Sequence, residues 1–229
     1  MLGTDYVDVF QLHGVPPRAY DYVRDEIAPA LLREKAKGKF RHLGITETAP
    51  NDPEHTMLRR ALQDDVWEVA MVAFHMMCQN ARTSVFPLSR AGRVGTLLMF
   101  VVRRIFARPE LLAATVRELA VAGQLPQSLA EMPDPLGFLV HEGGANSLTD
   151  AAYRFARHEP GVDVVLFGTG DREHVRANIA SILRPPLPEA DRRQLKTLFG
   201  KLVGVGLDDP RPPAKLHRAL IRLLQPSRG

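Results

Sequence analysis

Cysteine is nearly absent from this sequence, and long apolar runs are absent altogether. The single cysteine among 229 residues, Cys78, cannot form an intrachain disulfide, which is typical of a protein that folds in a reducing compartment. No apolar run approaches the length that crosses a bilayer, and the N-terminus lacks a basic stretch followed by an apolar one. The sequence therefore predicts a cytoplasmic protein that makes no contact with membranes.

Runs of charge of one sign are lacking as well. Lysine and arginine number 30 against 26 aspartate and glutamate residues, and the two signs are interspersed along the chain. A protein that binds nucleic acid usually carries a basic patch or stripe, and none stands out here. We attribute the net charge of +4 to a solvated surface and expect no nucleic-acid partner.

The sequence does contain short apolar segments that alternate with amphipathic ones, in a composition of 45% hydrophobic and 24% charged residues. Enrichment in β-branched and aromatic residues predicts five strands, at residues 5–13, 40–45, 66–74, 94–99 and 162–167. Helical patterns predict helices at residues 29–37, from 53 onward, 81–90, 109–121, 147–158, 171–183, 189–199 and 213–224, with a long loop at 123–146. This alternation indicates a parallel sheet.

The first predicted strand ends on a histidine, His13. Because side chains alternate along a strand, His13 shares one face with Gln11 and Val9. The C-terminal ends of parallel strands are where α/β folds place their chemistry, so His13 is a candidate catalytic residue. A histidine by itself is more often a hydrogen-bonded core or loop residue, and the assignment therefore depends on what accompanies it.

Three separated blocks of sequence carry a resemblance to a known family. They are residues 2–13, which end in Leu12-His13, residues 38–46, which read GKFRHLGIT, and residues 167–178, which begin with FGTG. In this order and spacing the chain resembles the aldo/keto reductases, (β/α)8 barrels that use NADPH to reduce aldehydes and ketones. The resemblance implies an α/β fold, a partial (β/α)8 TIM barrel with about five parallel strands and the N-terminal strands missing. It covers residues 1–229, with 189–229 as a C-terminal helical extension.

The resemblance also implies roles for individual residues. His13 matches the active-site histidine that polarises or orients the substrate carbonyl. Thr46 and Glu47 fall where the family usually has a Ser-Asn pair that holds the nicotinamide carboxamide. Met71 falls where a Gln commonly contacts the same group, so that Glu47 and Met71 both depart from the pattern. Phe74 lies where an aromatic ring stacks on the nicotinamide.

The turn Gly168-Thr169-Gly170 matches the family's phosphate-binding region. Small residues let the backbone come close to a ligand, and the helix that follows offers unpaired N–H groups to an anion. The resemblance implies that Arg172 or His174 meets the adenosine 2′-phosphate of NADP and that Asn178 contacts the adenine. The alternative interpretation is a plain strand-to-helix turn that ends in a helix cap.

The family's remaining catalytic groups are an Asp, a proton-donating Tyr and a Lys, and they come from strands that would precede Met1. None of the tyrosines in this sequence matches that Tyr. We therefore expect a truncated chain that is inactive by itself towards a small carbonyl substrate, with exposed strand edges that a partner chain would cover. The alternative is a non-catalytic module that binds a nucleotide or depends on a partner.

A Rossmann dinucleotide site and a zinc site fit the sequence less well than the resemblance to the aldo/keto reductases. A Rossmann dehydrogenase would need a third glycine where Glu173 stands. His75 and Cys78 are three residues apart, but no second pair of ligands follows at zinc spacing, so we expect no metal site.

Overall fold

The fold is built on one parallel sheet, seen in a computed structural model that describes residues 3–207. The spatial order of its strands is their order in the chain, and every neighbouring pair is parallel. Consecutive parallel neighbours joined by helical crossovers are the arrangement of a (β/α)8 barrel, so the prediction of five parallel strands in a partial barrel is confirmed. The strands are β1 (Val7–Leu12), β2 (Phe40–Thr46), β3 (Val69–Ala73), β4 (Gly95–Met99) and β5 (Val164–Val165).

Helices fill the connections between these strands. A 3-10 turn at Pro17–Ala19, a π-helical segment at Val23–Ile27 and a second 3-10 turn at Gly137–Leu139 accompany the α-helices. The α-helices of residues 3–207 are α1 (Tyr20–Tyr22), α2 (Ala28–Ala36), α3 (Thr56–Ala61), α4 (Ala81–Ser84), α5 (Phe86–Gly92), α6 (Arg104–Ala107), α7 (Pro109–Val121), α8 (Gln127–Ala130), α9 (Leu148–Arg157), α10 (Arg172–Leu183) and α11 (Glu189–Phe199).

The predicted helix boundaries are most accurate where a capping residue and the helical spacing of apolar residues indicate the same boundary. Helices α7 and α11 have the predicted bounds, and the Ser147 hydroxyl caps α9 by accepting a hydrogen bond from the backbone N–H of Asp150. The predicted helix at 81–90 is two helices, because Pro87 lies in the first turn of a new helix and cannot continue the previous one. The predicted loop at 123–146 contains α8, and the predicted helix at 213–224 lies outside the described residues.

One face of the sheet is buried from β2 to β5, whereas Phe10 of β1 on the same face is exposed. The strand register places Ile45 of β2 beside Ala70 of β3, and Val72 of β3 beside Leu98 of β4. All four side chains are inaccessible to solvent, and helices α2, α5 and α9 pack against β2, β4 and β5. This face and its helices form the hydrophobic core, as in the outer layer of a barrel.

The opposite face of the sheet is partly exposed. Val9 of β1 is 39% exposed and Val164 of β5 is 44% exposed, although both are apolar. Within residues 3–207, β1 and β5 each pair on one side only, so the sheet does not close. The idea that a partner chain covers these edges stays a prediction. In the same part of the chain, no helix combines the length and the apolar character that crossing a bilayer requires.

Candidate active site

A cavity of about 560 Å³ lies at the C-terminal ends of β4 and β5. This volume is within the range of small-molecule sites, and the C-terminal end of the strands is where barrels bind their ligands. Its walls come from the segment after β4, the segment after β5 and the helices α9 and α10. The lining residues are Met99, Phe100, Val101, Val102, Arg103, Ala107, Thr149, Tyr153, Leu166, Phe167, Gly168, Thr169, His174 and Asn178.

Four residues predicted to contact the cofactor meet in this cavity, namely Gly168, Thr169, His174 and Asn178. The space beside Gly168 is open, because no atom lies within 4 Å of the position that a Cβ would occupy if another residue stood there. His174 and Asn178 are one helical turn apart on α10 and therefore face the cavity together. Gly170 and Arg172 are exposed and lie outside the lining.

The N-terminus of α10 already holds an anionic group, the carboxylate of Asp171. Its Oδ1 accepts hydrogen bonds from the backbone N–H groups of His174 and Glu173, at 3.1 and 2.7 Å. These two hydrogen bonds hold the pKa of Asp171 below its ordinary value. Two of the first N–H groups of the helix, those of Glu173 and His174, are therefore satisfied within the chain. The phosphate contact at this turn stays a prediction.

The ends of β1 and β2 are tied together next to His13. The backbone N–H of Gly14 donates to the Thr46 hydroxyl at 2.6 Å, and the N–H of Val15 donates to the Thr46 carbonyl at 2.9 Å. Gly14 has a φ of 64°, a left-handed conformation in which glycine carries no steric cost. The turn leaves His13 exposed directly after β1. Thr46 is buried, and its hydroxyl keeps one proton to donate.

Glu47 is directed into the protein core. Its Oε2 lies 2.7 Å from Nδ1 of His55, and its Oε1 accepts a hydrogen bond from the backbone N–H of Ala73 at 2.7 Å. The side chains of Glu47 and His55 are both inaccessible to solvent. The carboxylate thus joins the end of β2 to the end of β3 and to the residue before α3. The predicted contact between Glu47 and a nicotinamide stays a prediction, and such a contact would compete with these bonds.

The surroundings of His55 favour its protonated form. Burial is the largest single influence and opposes protonation, but the charge and hydrogen bond of Glu47, with further contributions from Asn80 and Asp52, raise the pKa of His55 above its ordinary value. Its φ of 55° lies in the left-handed region of backbone conformation, which few residues other than glycine adopt. The pair is therefore a buried ion pair on a backbone of unusual conformation.

Phe74 lies within the core, behind the sheet. Its ring is inaccessible to solvent and stacks on Phe155 at a centroid distance of 5.5 Å, with Phe86 edge-on at 5.2 Å. Met71 lies on the other face of the sheet, half-buried, between Thr46 of β2 and Leu97 of β4. Stacking of Phe74 on a nicotinamide stays a prediction, and Phe155 already occupies one face of its ring.

The sequence did not single out half of this cavity. Residues 99–103 line it because they follow β4 directly, at the same edge of the sheet as the turn after β5. That signal was available, since the C-terminal ends of neighbouring parallel strands meet. Thr149 and Tyr153 line it from α9 and carried no recognisable motif. Phe100 has a φ of 69°, and Arg103 stacks on its ring at 4.2 Å.

His75 and Cys78, the pair considered above as metal ligands, are both buried. Burial, followed by the charge of Arg103, lowers the pKa of His75 to about 3, and burial raises the pKa of the Cys78 thiol to about 11. Among the described residues there is no cluster of three potential metal ligands. The two residues instead close a short turn through their backbone groups, His75 N–H to Cys78 carbonyl and the reverse.

The sequence matches the model of the Aldo/keto reductase family over residues 1–198. This chain belongs to the aldo/keto reductase family. The match extends across all three blocks that carried the resemblance, and the parallel sheet agrees with it. No curated protein matches the sequence.

Solved structures of aldo/keto reductases share this fold. The holo form of aldo-keto reductase AKR11C1 from Bacillus halodurans is 20% identical with a TM-score of 0.57, covering 86% of this chain and 62% of that chain. An aldo/keto reductase from Brucella melitensis is 16% identical with a TM-score of 0.54, covering 86% and 63%. This chain thus spans a little under two thirds of the length of these relatives, and at these identities the likeness shows the fold alone.

Proposed function

We propose that this chain binds an NADP-type dinucleotide in the cavity at the ends of β4 and β5, as part of an oxidoreductase that acts on small carbonyl compounds. The observation that carries the proposal is the meeting of Gly168, Thr169, His174 and Asn178 in one cavity of about 560 Å³. These residues come from a motif that resembles the family's phosphate and adenine contacts. Their chemistry fits the adenosine end of the group, since it combines open space beside Gly168 with hydroxyl, imidazole and amide groups.

The residues that would handle the carbonyl lie at the other edge of the sheet. A bound NADPH would supply the hydride for reduction of the carbonyl, which would place negative charge on the carbonyl oxygen. The exposed imidazole of His13 donates a hydrogen bond to that oxygen, which stabilises the charge in the transition state. The hydrogen bond from Gly14 to Thr46 fixes the turn that carries His13, so Thr46 acts as a positioning residue.

We expect no turnover by this chain alone, because none of its four tyrosines stands where the family's proton-donating Tyr would stand. The hydroxyl of Tyr20 donates to Asp64, and Tyr6 accepts a hydrogen bond from Arg41. The chain is therefore predicted to bind NADPH without oxidising it in the presence of aldehydes. Absorbance at 340 nm with a panel of aldehydes measures this, and turnover that disappears in a His13→Ala variant would contradict it.

The binding site itself is tested by a matched pair of substitutions on α10. His174 lines the cavity, whereas Arg176 is exposed, lies outside the lining and pairs with Glu173. His174→Ala is expected to weaken NADPH binding about tenfold, the cost of one hydrogen bond to a charged group. Arg176→Ala is expected to leave it unchanged. Titration of NADPH fluorescence measures both, and a wild-type chain that binds no NADPH would refute the proposed function.

A second function is favoured by the positions of Glu47 and Phe74. Both are predicted nicotinamide contacts, and both are engaged in the core, by His55 and by Phe155. A chain that keeps the adenosine end of the site and uses the other residues for stability would bind a nucleotide without catalysis. Binding of ADP as tightly as NADPH would favour this module, since ADP lacks the nicotinamide.

A further inference from the structure

Helix α9 contributes a wall of the cavity that no sequence motif marks. Thr149 and Tyr153 are four residues apart on α9, so they share a face of the helix, and both line the cavity. His174 and Asn178 have the same spacing on α10. Each of the two helices therefore presents two polar side chains, one turn apart, to the same space.

Tyr153 has an unused hydroxyl. The residue is 4% exposed, its ring packs edge-on against Phe167 at 6.2 Å, and burial raises its pKa, so the hydroxyl keeps its proton. The hydroxyl makes no hydrogen bond to any residue in the described part of the chain. Tyr20, the other buried tyrosine of that part, shows the contrast: its hydroxyl donates to Asp64 at 2.5 Å and accepts from Trp67 at 3.1 Å.

A buried tyrosine hydroxyl normally has a hydrogen-bond partner, because leaving it unpaired costs about 1–3 kcal/mol. Tyr153 lines an open cavity, so water can pair with the hydroxyl while the cavity is empty, and a ligand that displaces this water becomes the partner. The Thr149 hydroxyl, one turn earlier, makes no hydrogen bond within residues 3–207 either. Two neutral groups on one wall thus remain available to a ligand.

The character of the wall formed by α9 favours one part of a dinucleotide, although a cation, Arg103, lines the cavity on another side. Thr149 and Tyr153 are neutral, and the apolar lining residues Phe100, Val101 and Phe167 complement them. Neutral hydroxyls beside an apolar surface suit a base and its ribose better than a phosphate, which favours cations and backbone N–H groups. We infer that Thr149 and Tyr153 bind the adenosine half of the dinucleotide, with the Tyr153 hydroxyl donating to a ring nitrogen or a ribose oxygen. This inference rests on the proposed function.

The test is the substitution Tyr153→Phe, which keeps the ring and its packing and removes the hydroxyl alone. Because adenosine is common to NADPH, NADH and ADP, the variant is expected to bind each of the three about fivefold more weakly than the wild type. This is the cost of losing one neutral hydrogen bond. Tyr22→Phe, at an exposed tyrosine outside the cavity, is the matched control and is expected to bind all three like the wild type. Isothermal titration measures the affinities, and thermal unfolding checks that each variant is folded.

The outcomes separate this inference from the proposed function. A wild-type chain that binds none of the three nucleotides refutes both. A wild-type chain that binds them, with Tyr153→Phe equally tight, refutes the role of Tyr153 alone. If Tyr153→Phe bound NADPH more weakly but bound NADH and ADP like the wild type, the hydroxyl would contact the 2′-phosphate. That result would overturn the adenosine assignment. Thr149→Val replaces a hydroxyl by a methyl group of similar size and is also expected to weaken the binding of all three nucleotides. It provides the test if Tyr153→Phe does not fold.

Discussion

Replacing His55 by asparagine is expected to lower the free energy of unfolding by about 3–5 kcal/mol at pH 6. The substitution leaves the Glu47 carboxylate buried without its cation, and an unpaired buried charge is among the most costly defects in a protein. Asparagine is chosen because it tolerates the left-handed backbone at this position better than most residues. The loss therefore reports the ion pair rather than backbone strain. Urea unfolding followed by circular dichroism measures it.

The same pair makes stability depend on pH. Because the folded pKa of His55 is raised above the unfolded value of 6.5, its contribution is fully present below about pH 6.5 and is lost as the pH rises through the folded pKa. The wild type is thus expected to lose stability towards alkaline pH, and His55→Asn is expected to lack that part of the dependence. Equal stability of the two proteins at pH 6, or the same alkaline slope in both, would contradict the ion pair.

Phe74→Ala is expected to destabilise the fold by about 3–5 kcal/mol, with any loss of nucleotide binding following from unfolding. The ring is inaccessible to solvent and packs against Phe155 and Phe86, so its removal leaves a cavity in the core. Chemical denaturation measures the free energy, and NADPH titration is carried out under conditions where the variant remains folded.

Phe10→Ala is the matched control for this substitution. Phe10 also stacks on another aromatic ring, Phe40 at 5.2 Å, but it is 39% exposed. Its truncation is expected to cost about 1 kcal/mol. If Phe74→Ala kept wild-type stability and lost NADPH affinity, the ring would be a ligand contact and its place in the core would be contradicted.

The sheet was predictable because its strands are short apolar segments separated by clear helical patterns. Strand bounds moved by a few residues, for example at β5, where the predicted 162–167 is a strand only at Val164–Val165. Strand pairing fixes those limits: Leu97 and Leu98 of β4 pair with these two residues, and the chain then turns towards α10. Such pairing depends on residues far apart in sequence, which a local pattern does not contain.

The candidate site could be predicted where one short motif supplies several of the contacts. It could not be predicted where a residue distant in sequence determines the direction of a side chain. The Gly168-Thr169-Gly170 motif, His174 and Asn178 are close in sequence, and most of them meet in the cavity. The direction of Glu47 depends on His55, eight residues later, and on Ala73 of the next strand. Tyr153 was not predicted as a ligand contact because the pattern of α9 is dominated by its apolar face, which packs on the core.

Hydrogen–deuterium exchange of the full chain, with and without NADPH, is the sharpest test of the proposed dinucleotide site, because it locates the nucleotide as well as detecting it. A dinucleotide in the cavity is expected to slow exchange in peptides that cover residues 99–103, 149–153 and 166–178, with little change in residues 56–61 of α3, which lie outside the cavity. No change in exchange at saturating NADPH, or slower exchange confined to other parts of the chain, would contradict a dinucleotide site at the ends of β4 and β5.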